Sequence, residues 1–288
     1  MAKGISVHVG VNRVNAPGIS VPDLRGCEND ARAMFDIAQA SGFISPGPIL
    51  SEEATFDRVI TEIESAASQL LDGDIFLFTF AGHGTRHGTD DIDEVDYKDE
   101  CLVLHDRILI DNVFRRQLWP QFKAGVRVLA ISDSCYSGGI FLFVEALHGI
   151  GVSLFSPFSR EIASKVAQEV VKIEVPRTIP EGENQLHFNS LPEFYAALRD
   201  SLPSGPAPPL SASLLLIGAC KEFQQAADGP QHGAFTQALL SVWNTGSQDY
   251  EGFVKAIKQQ LAGRPQEPVL TAAPQPNPAF LAQRPFTI

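Results

Sequence analysis

An α/β fold, built on a mainly parallel sheet with helices on both faces, is predicted by three observations. Runs of aliphatic and aromatic residues alternate along the chain with amphipathic segments. The apolar runs are continuous, as in strands buried on both sides. Two of them, Asp74–Phe80 and Val126–Ile131, end abruptly in loops rich in Gly and Ser, one carrying a His and the other a Cys. About five to six strands are expected, a usual number for one sheet.

Ile5–Val11 reads as the first strand, and Asn12–Pro22 as a loop with Gly and two prolines. Leu24–Ser41 has Ala31, Met34, Phe35 and Ala38 at helical spacing, and Gly42 stops it. Pro48–Leu50 is a short strand. Ala54–Leu71 is a second amphipathic helix, with Phe56, Val59, Ile60 and Ile63 on its core face. Asp72-Gly73 turns into the His-bearing strand. Thr85–Glu100 is a long polar loop holding seven acidic residues, and it runs into the apolar stretch Cys101–Leu104. A short helix, Asp111–Trp119, precedes the Cys-bearing strand.

The remainder divides the single domain 1–288 into three regions. Residues 1–158 form the first; from Gly139 to Phe158 the apolar residues have no clear period. Residues 159–210 are polar and proline-rich apart from a short helix at Pro192–Leu202, and read as a linker or mobile excursion. Order returns in 211–288, with a buried strand at Ser213–Gly218 and helices at Ala234–Trp243 and Tyr250–Ala262. Six prolines after Gly263 predict an extended tail.

The chain has 288 residues, enough for a large core. Its net charge of −12 argues against nucleic acid and suits basic substrates. There is no charged-then-apolar leader and no apolar run near the ~18 residues of a membrane span, so a cytoplasmic protein is expected. The four cysteines, Cys27, Cys101, Cys135 and Cys220, are scattered without a C-x-x-C pair, against zinc and against a disulfide framework.

Ala81-Gly82-His83-Gly84 closes one strand, and Asp133-Ser134-Cys135-Tyr136-Ser137-Gly138 follows the other. Open α/β sheets place ligands at the carboxyl ends of their strands. A thiol attacks as its thiolate, and a neighbouring imidazole favours that form and moves the proton. This pattern makes Cys135 the candidate nucleophile and His83 the general base and acid, with no third member evident. The backbone N–H groups of Gly84 and Cys135 are the natural oxyanion donors. The competing reading is a buried structural Cys and an unrelated loop His.

Together with Leu24-Arg25-Gly26-Cys27-Glu28-Asn29-Asp30-Ala31, Leu216–Cys220 and Gly233–Thr236, these motifs resemble the caspase-fold metacaspases, and more narrowly the bacterial orthocaspases. His83 precedes Cys135 by 52 residues, near the caspase spacing of about 50. The resemblance implies a six-stranded sheet with five parallel strands, a monomer, and cleavage of peptide and protein substrates after Arg or Lys. It matches Asp30 and Asp133 to pocket carboxylates that grip a guanidinium, and Cys27 to a pocket-lining cysteine. Alone, Asp30 reads as a first-turn helix acid and Asp133 as a turn residue. Ala81 departs from the serine the family often has there.

Many metacaspases need calcium. That makes calcium a candidate cofactor, with Asp96, Asp99 and Glu100 as candidate ligands, although charge runs are usually solvated. Thiol–imidazole chemistry itself requires no cofactor. In an enzyme cutting after basic residues, Arg160, Lys172 and Arg177 are candidate self-cleavage sites; Lys165 and Arg199 fall in the same region. Two rivals are a caspase-fold interaction module with vestigial catalysis, and a separase-like or gingipain-like peptidase of the same fold.

Overall fold

The computed structural model describes residues 2–88, 98–135, 175–221 and 224–288. Its main sheet contains β1 (Gly4–Gly10), β2 (Pro48–Leu50), β3 (Ile75–Ala81), β7 (Arg127–Asp133), β9 (Ser213–Gly218) and β11 (Val269–Ala273), in the order β11-β9-β7-β3-β1-β2. Five strands run parallel and β11 runs antiparallel against β9. The expected six-stranded caspase-like sheet is borne out.

Helices cover both faces, and strand residues of opposite parity serve opposite cores. Phe76, Phe78, Val128, Ala130, Leu214 and Leu216 face α2 (Phe56–Gln69). Ile75, Leu77, Leu129, Ile131, Leu215 and Ile217 face α1 (Cys27–Ala40), α5 (Ala234–Val242) and α6 (Tyr250–Gln260). Helix α2 begins where the Thr55 side chain accepts from the Arg58 N–H. Gly42 ends the α1 segment at φ +87°, a conformation that favours glycine.

Three expectations are corrected. Thr85–Glu100 is not one long loop: β4 (Gly84–Gly88) and β5 (Lys98–Val103) pair within it, and β6 (Ile108–Ile110) completes a small antiparallel sheet. The tail after Gly263 is not merely extended, because β11 closes the sheet edge. Its prolines flank that strand and leave the ladder intact. Within 159–210, residues 175–201 pack on the body instead of forming a loose linker. They carry β8 (Val175–Pro176), α3 (Glu181–Ser190) and α4 (Pro192–Ser201), and Ile179, Phe188 and Tyr195 join the α2-side core. The apolar stretch from Gly139 to Phe158 lies outside the described residues.

Candidate active site

β3 and β7 are hydrogen-bonded neighbours whose register pairs Ala81 with Asp133. His83 and Cys135 each follow two residues later, so one sheet edge delivers both. Gly84 packs directly on the second loop. A Cβ at Gly84 would stand 2.1 Å from the Cys135 carbonyl oxygen, so a larger residue has no room.

Both side chains are buried because the chain crosses above them. β8 pairs antiparallel with β10 (Ala227–Asp228), and the next residue, Arg177, enters the site. Its carbonyl oxygen accepts from the Gly84 N–H at 2.9 Å and from the Cys135 N–H at 3.2 Å. Its own N–H donates to the Ala226 carbonyl at 2.9 Å, and the Ile179 N–H donates to the Gly84 carbonyl at 3.3 Å. Cys135 Sγ accepts from the Ala226 N–H at 3.2 Å. The peptide bond from Arg177 to Thr178 therefore lies where two backbone donors polarise its carbonyl beside a thiol.

The Arg177 side chain is fully buried among three carboxylates. Nη2 bonds Asp30 at 2.6 Å and Asp228 at 2.9 Å. Nη1 bonds the Asp133 carboxylate at 3.0 Å and its carbonyl at 3.0 Å. Each acid is fixed in turn. Asp30, on α1, accepts from the Gly233 N–H at 3.1 Å and lies 2.9 Å from His232 Nδ1. Asp133, ending β7, accepts from the Thr236 N–H at 3.1 Å and hydroxyl at 2.7 Å. Asp228 accepts from the N–H groups of Arg25 at 2.8 Å and Gly26 at 3.1 Å. A Cβ on Gly233 would stand 2.6 Å from the guanidinium carbon, so glycine keeps this pocket open.

Burial sets the local proton affinities. It lowers His83 to about 4, against support for the charged form from the Pro22 and Thr178 backbone. Burial raises the Cys135 thiol well above its ordinary value, and Cys220 adds to the effect. With Arg177 seated, imidazole and thiol are thus both neutral. Burial also pushes Asp133 up to about 6, opposed by Arg177 and reinforced by Asp30. Burial disfavours the Arg177 charge, but Asp133, Cys27, Asp30 and Asp228 hold its pKa well above the usual arginine range.

The structure brings His83, Gly84, Cys135, Asp30, Asp133 and Cys27 together, with Cys27 Sγ 3.9 Å from Asp228. Ala81 lines a small cavity beside Asp30, Asp133 and Thr236. Of the basic residues, Arg177 is in the site and Arg199 is exposed on α4, while Arg160, Lys165 and Lys172 lie outside the described residues. Asp96 lies outside them too, and Asp99 falls within β5. Glu100 is buried and paired with Arg86 at 3.1 Å. No cluster of three or more His, Cys, Asp or Glu suited to a metal occurs among the described residues. Asp228 escaped sequence reasoning because an Asp before Gly and Pro reads as a turn residue. Its position between the two matched motifs, Leu216–Cys220 and Gly233–Thr236, was the available signal.

A caspase-type sheet, with thiol and imidazole loops meeting at its carboxyl edge, is the architecture of the caspase fold. The caspase domain family matches residues 5–280, and the chain belongs to it. A crystal structure of protein GSU0716 from Geobacter sulfurreducens superposes with a TM-score of 0.80 at 33% identity, covering 99% of both chains. Metacaspase-8 of Arabidopsis thaliana is 31% identical over 157 residues, which span 51% of this chain but only 40% of the plant protein. Caspase-1 from Spodoptera frugiperda, at 14% identity and a TM-score of 0.51 over 94% of this chain and 86% of its own, shares the fold.

Proposed function

We propose that the protein is an endopeptidase that cleaves after Arg, and less readily after Lys, by a Cys135–His83 dyad, and that it cuts its own chain between Arg177 and Thr178. One observation carries the reading: Arg177 lies in the site as a substrate would, its carbonyl between two N–H donors and its guanidinium among three acids.

Cys135 Sγ gives its proton to His83 and attacks the Arg carbonyl carbon. The oxyanion is held by the N–H groups of Gly84 and Cys135. His83 protonates the leaving amine, and water then releases the acyl group. No step requires a metal. The guanidinium spans two walls of the pocket, Nη1 to Asp133 and Nη2 to Asp30 and Asp228. A lysine has one nitrogen and cannot reach both walls, so Arg is preferred despite the serine absent at Ala81.

The test is hydrolysis of fluorogenic peptides ending in Arg, Lys or Asp. Arg should be fastest and Asp inert, and Cys135→Ala should abolish turnover without lowering the melting temperature. Residual turnover in that variant, or cleavage after Asp, would end the assignment. An interaction module with dead catalysis has less support, since both dyad residues are present and an arginine is seated in register with the thiol.

A further inference from the structure

We infer that the cut between Arg177 and Thr178 is reversible: the enzyme holds both new ends and reseals them, acting as a peptide ligase on its own chain. This rests on the self-cleavage reading above.

The amine side is anchored within one residue of the bond. Ile179 is 3% exposed, belongs to the α2-side core and bonds Gly84 through its N–H. One step along the chain is about 3.8 Å, so the Thr178 amine cannot leave the dyad unless Ile179 leaves the core. Beyond it, Glu183 accepts from the Ser20 N–H at 2.8 Å and Asn184 donates to the Arg86 carbonyl. His187 bonds the Pro17 carbonyl at 2.6 Å and the Tyr195 hydroxyl at 2.7 Å, and that hydroxyl donates to the Ile108 carbonyl at 2.9 Å. None of these contacts depends on the bond being whole.

The acid side is held independently. The three carboxylates keep Arg177, β8 stays paired with β10, and the Arg177 N–H remains on the Ala226 carbonyl. A new Arg177 carboxylate would keep the two oxyanion donors.

Hydrolysis of a peptide bond is ordinarily driven forward because the fragments separate. Here they do not, and a tethered amine competes with water at very high effective concentration. In the reverse direction Cys135 Sγ attacks the Arg177 carboxyl carbon, the C–S bond forms, and one oxygen leaves as water. The Thr178 amine then attacks the thioester; C–N forms, C–S breaks, and the amine proton returns to sulfur through His83. The net change is ammonium plus carboxylate to amide plus water, the ammonium's extra proton and the thiol's proton leaving with the carboxylate oxygen, and no oxidant or reductant is needed.

The experiment follows the full chain in ¹⁸O water. After quenching, it is digested in ordinary water by a peptidase that does not cut at Arg, and the peptide spanning Arg177–Thr178 is weighed. Resealing writes ¹⁸O into the Arg177 carbonyl of molecules that are whole again. The expected result is a spanning peptide that gains 2 Da with time, with the cut fraction reaching a plateau short of completion. Cys135→Ala should gain nothing, and Ile179→Ala should shift molecules from labelled whole chain to permanently cut chain. If cut chain accumulates to completion while the remaining spanning peptide stays unlabelled, resealing is overturned and self-cleavage stands. If neither cut nor label appears in an enzyme that hydrolyses Arg peptides, self-cleavage at this bond falls and resealing falls with it.

Discussion

Asp30 and Asp228 share one nitrogen of Arg177, while Asp133 takes the other. A hydrogen bond to a charged partner contributes about 1.5–3 kcal/mol. Asp228→Asn should therefore lower kcat/KM on Arg peptides by roughly 10- to 150-fold. Lys peptides, which do not span both walls, should lose less, and a parallel kinetic comparison reads the difference. An equal loss on both would remove Asp228 from the discrimination. Gly233→Ala tests the pocket by volume, because its methyl would stand 2.6 Å from the guanidinium carbon. Arg turnover should collapse in that variant. The bond between the Thr236 hydroxyl and Asp133, made to the same carboxylate oxygen that meets Arg177, gives a crystallographic control that the pocket walls remain assembled.

The strap that carries Arg177 is held by its ion pairs together with Ile179 in the core, since β8 is only two residues long. Removing one partner of a buried charge cluster is costly, about 3–5 kcal/mol, because the other charges stay buried without compensation. Arg177→Gln should accordingly lower the melting temperature, and it should abolish the cut at this bond while Arg peptides added in trans are still hydrolysed. The long apolar strands and amphipathic helices were legible in the sequence because their periodicity is strong. β4, β5 and β11 were not, because polar and proline residues crowd short strands whose pairing is long-range. Asp30, Asp133, His83 and Cys135 were legible through motifs at fixed spacing. Arg177 could be named only as one of several basic residues, since nothing local says which enters a pocket assembled from α1, β7 and β10.

The whole molecule stores its stability in a sheet covered on both faces, with the site as a polar insertion at one edge. Phe76, stacked on Phe122 at 4.9 Å, lies far along β3 from that edge. Phe76→Ala should cost about 3–5 kcal/mol of unfolding free energy, read by denaturant titration, with the Arg-to-Lys preference unchanged. Acid should weaken the fold through its buried imidazoles. Burial holds His8 at about 3 and His83 at about 4, below the ordinary 6.5. The unfolded chain then binds more protons between these values, so stability is fully present above pH 6.5 and falls as pH drops toward 4. Asp133, raised to about 6, acts oppositely: its contribution is present at low pH and is lost as pH rises through about 6. His83→Gln should shrink the acid loss by up to roughly 3 kcal/mol, at about 1.4 kcal/mol per pH unit. An unchanged slope between pH 6.5 and 4 would contradict the buried neutral imidazole.

The seat of Arg177 is tested most directly by sequencing the amino termini of the denatured, self-processed protein. A fragment beginning Thr178-Ile179-Pro180, absent from Cys135→Ala, is the result expected. Fragments beginning only after Arg160 or Lys172, or the Thr178 terminus appearing without the thiol, would contradict it.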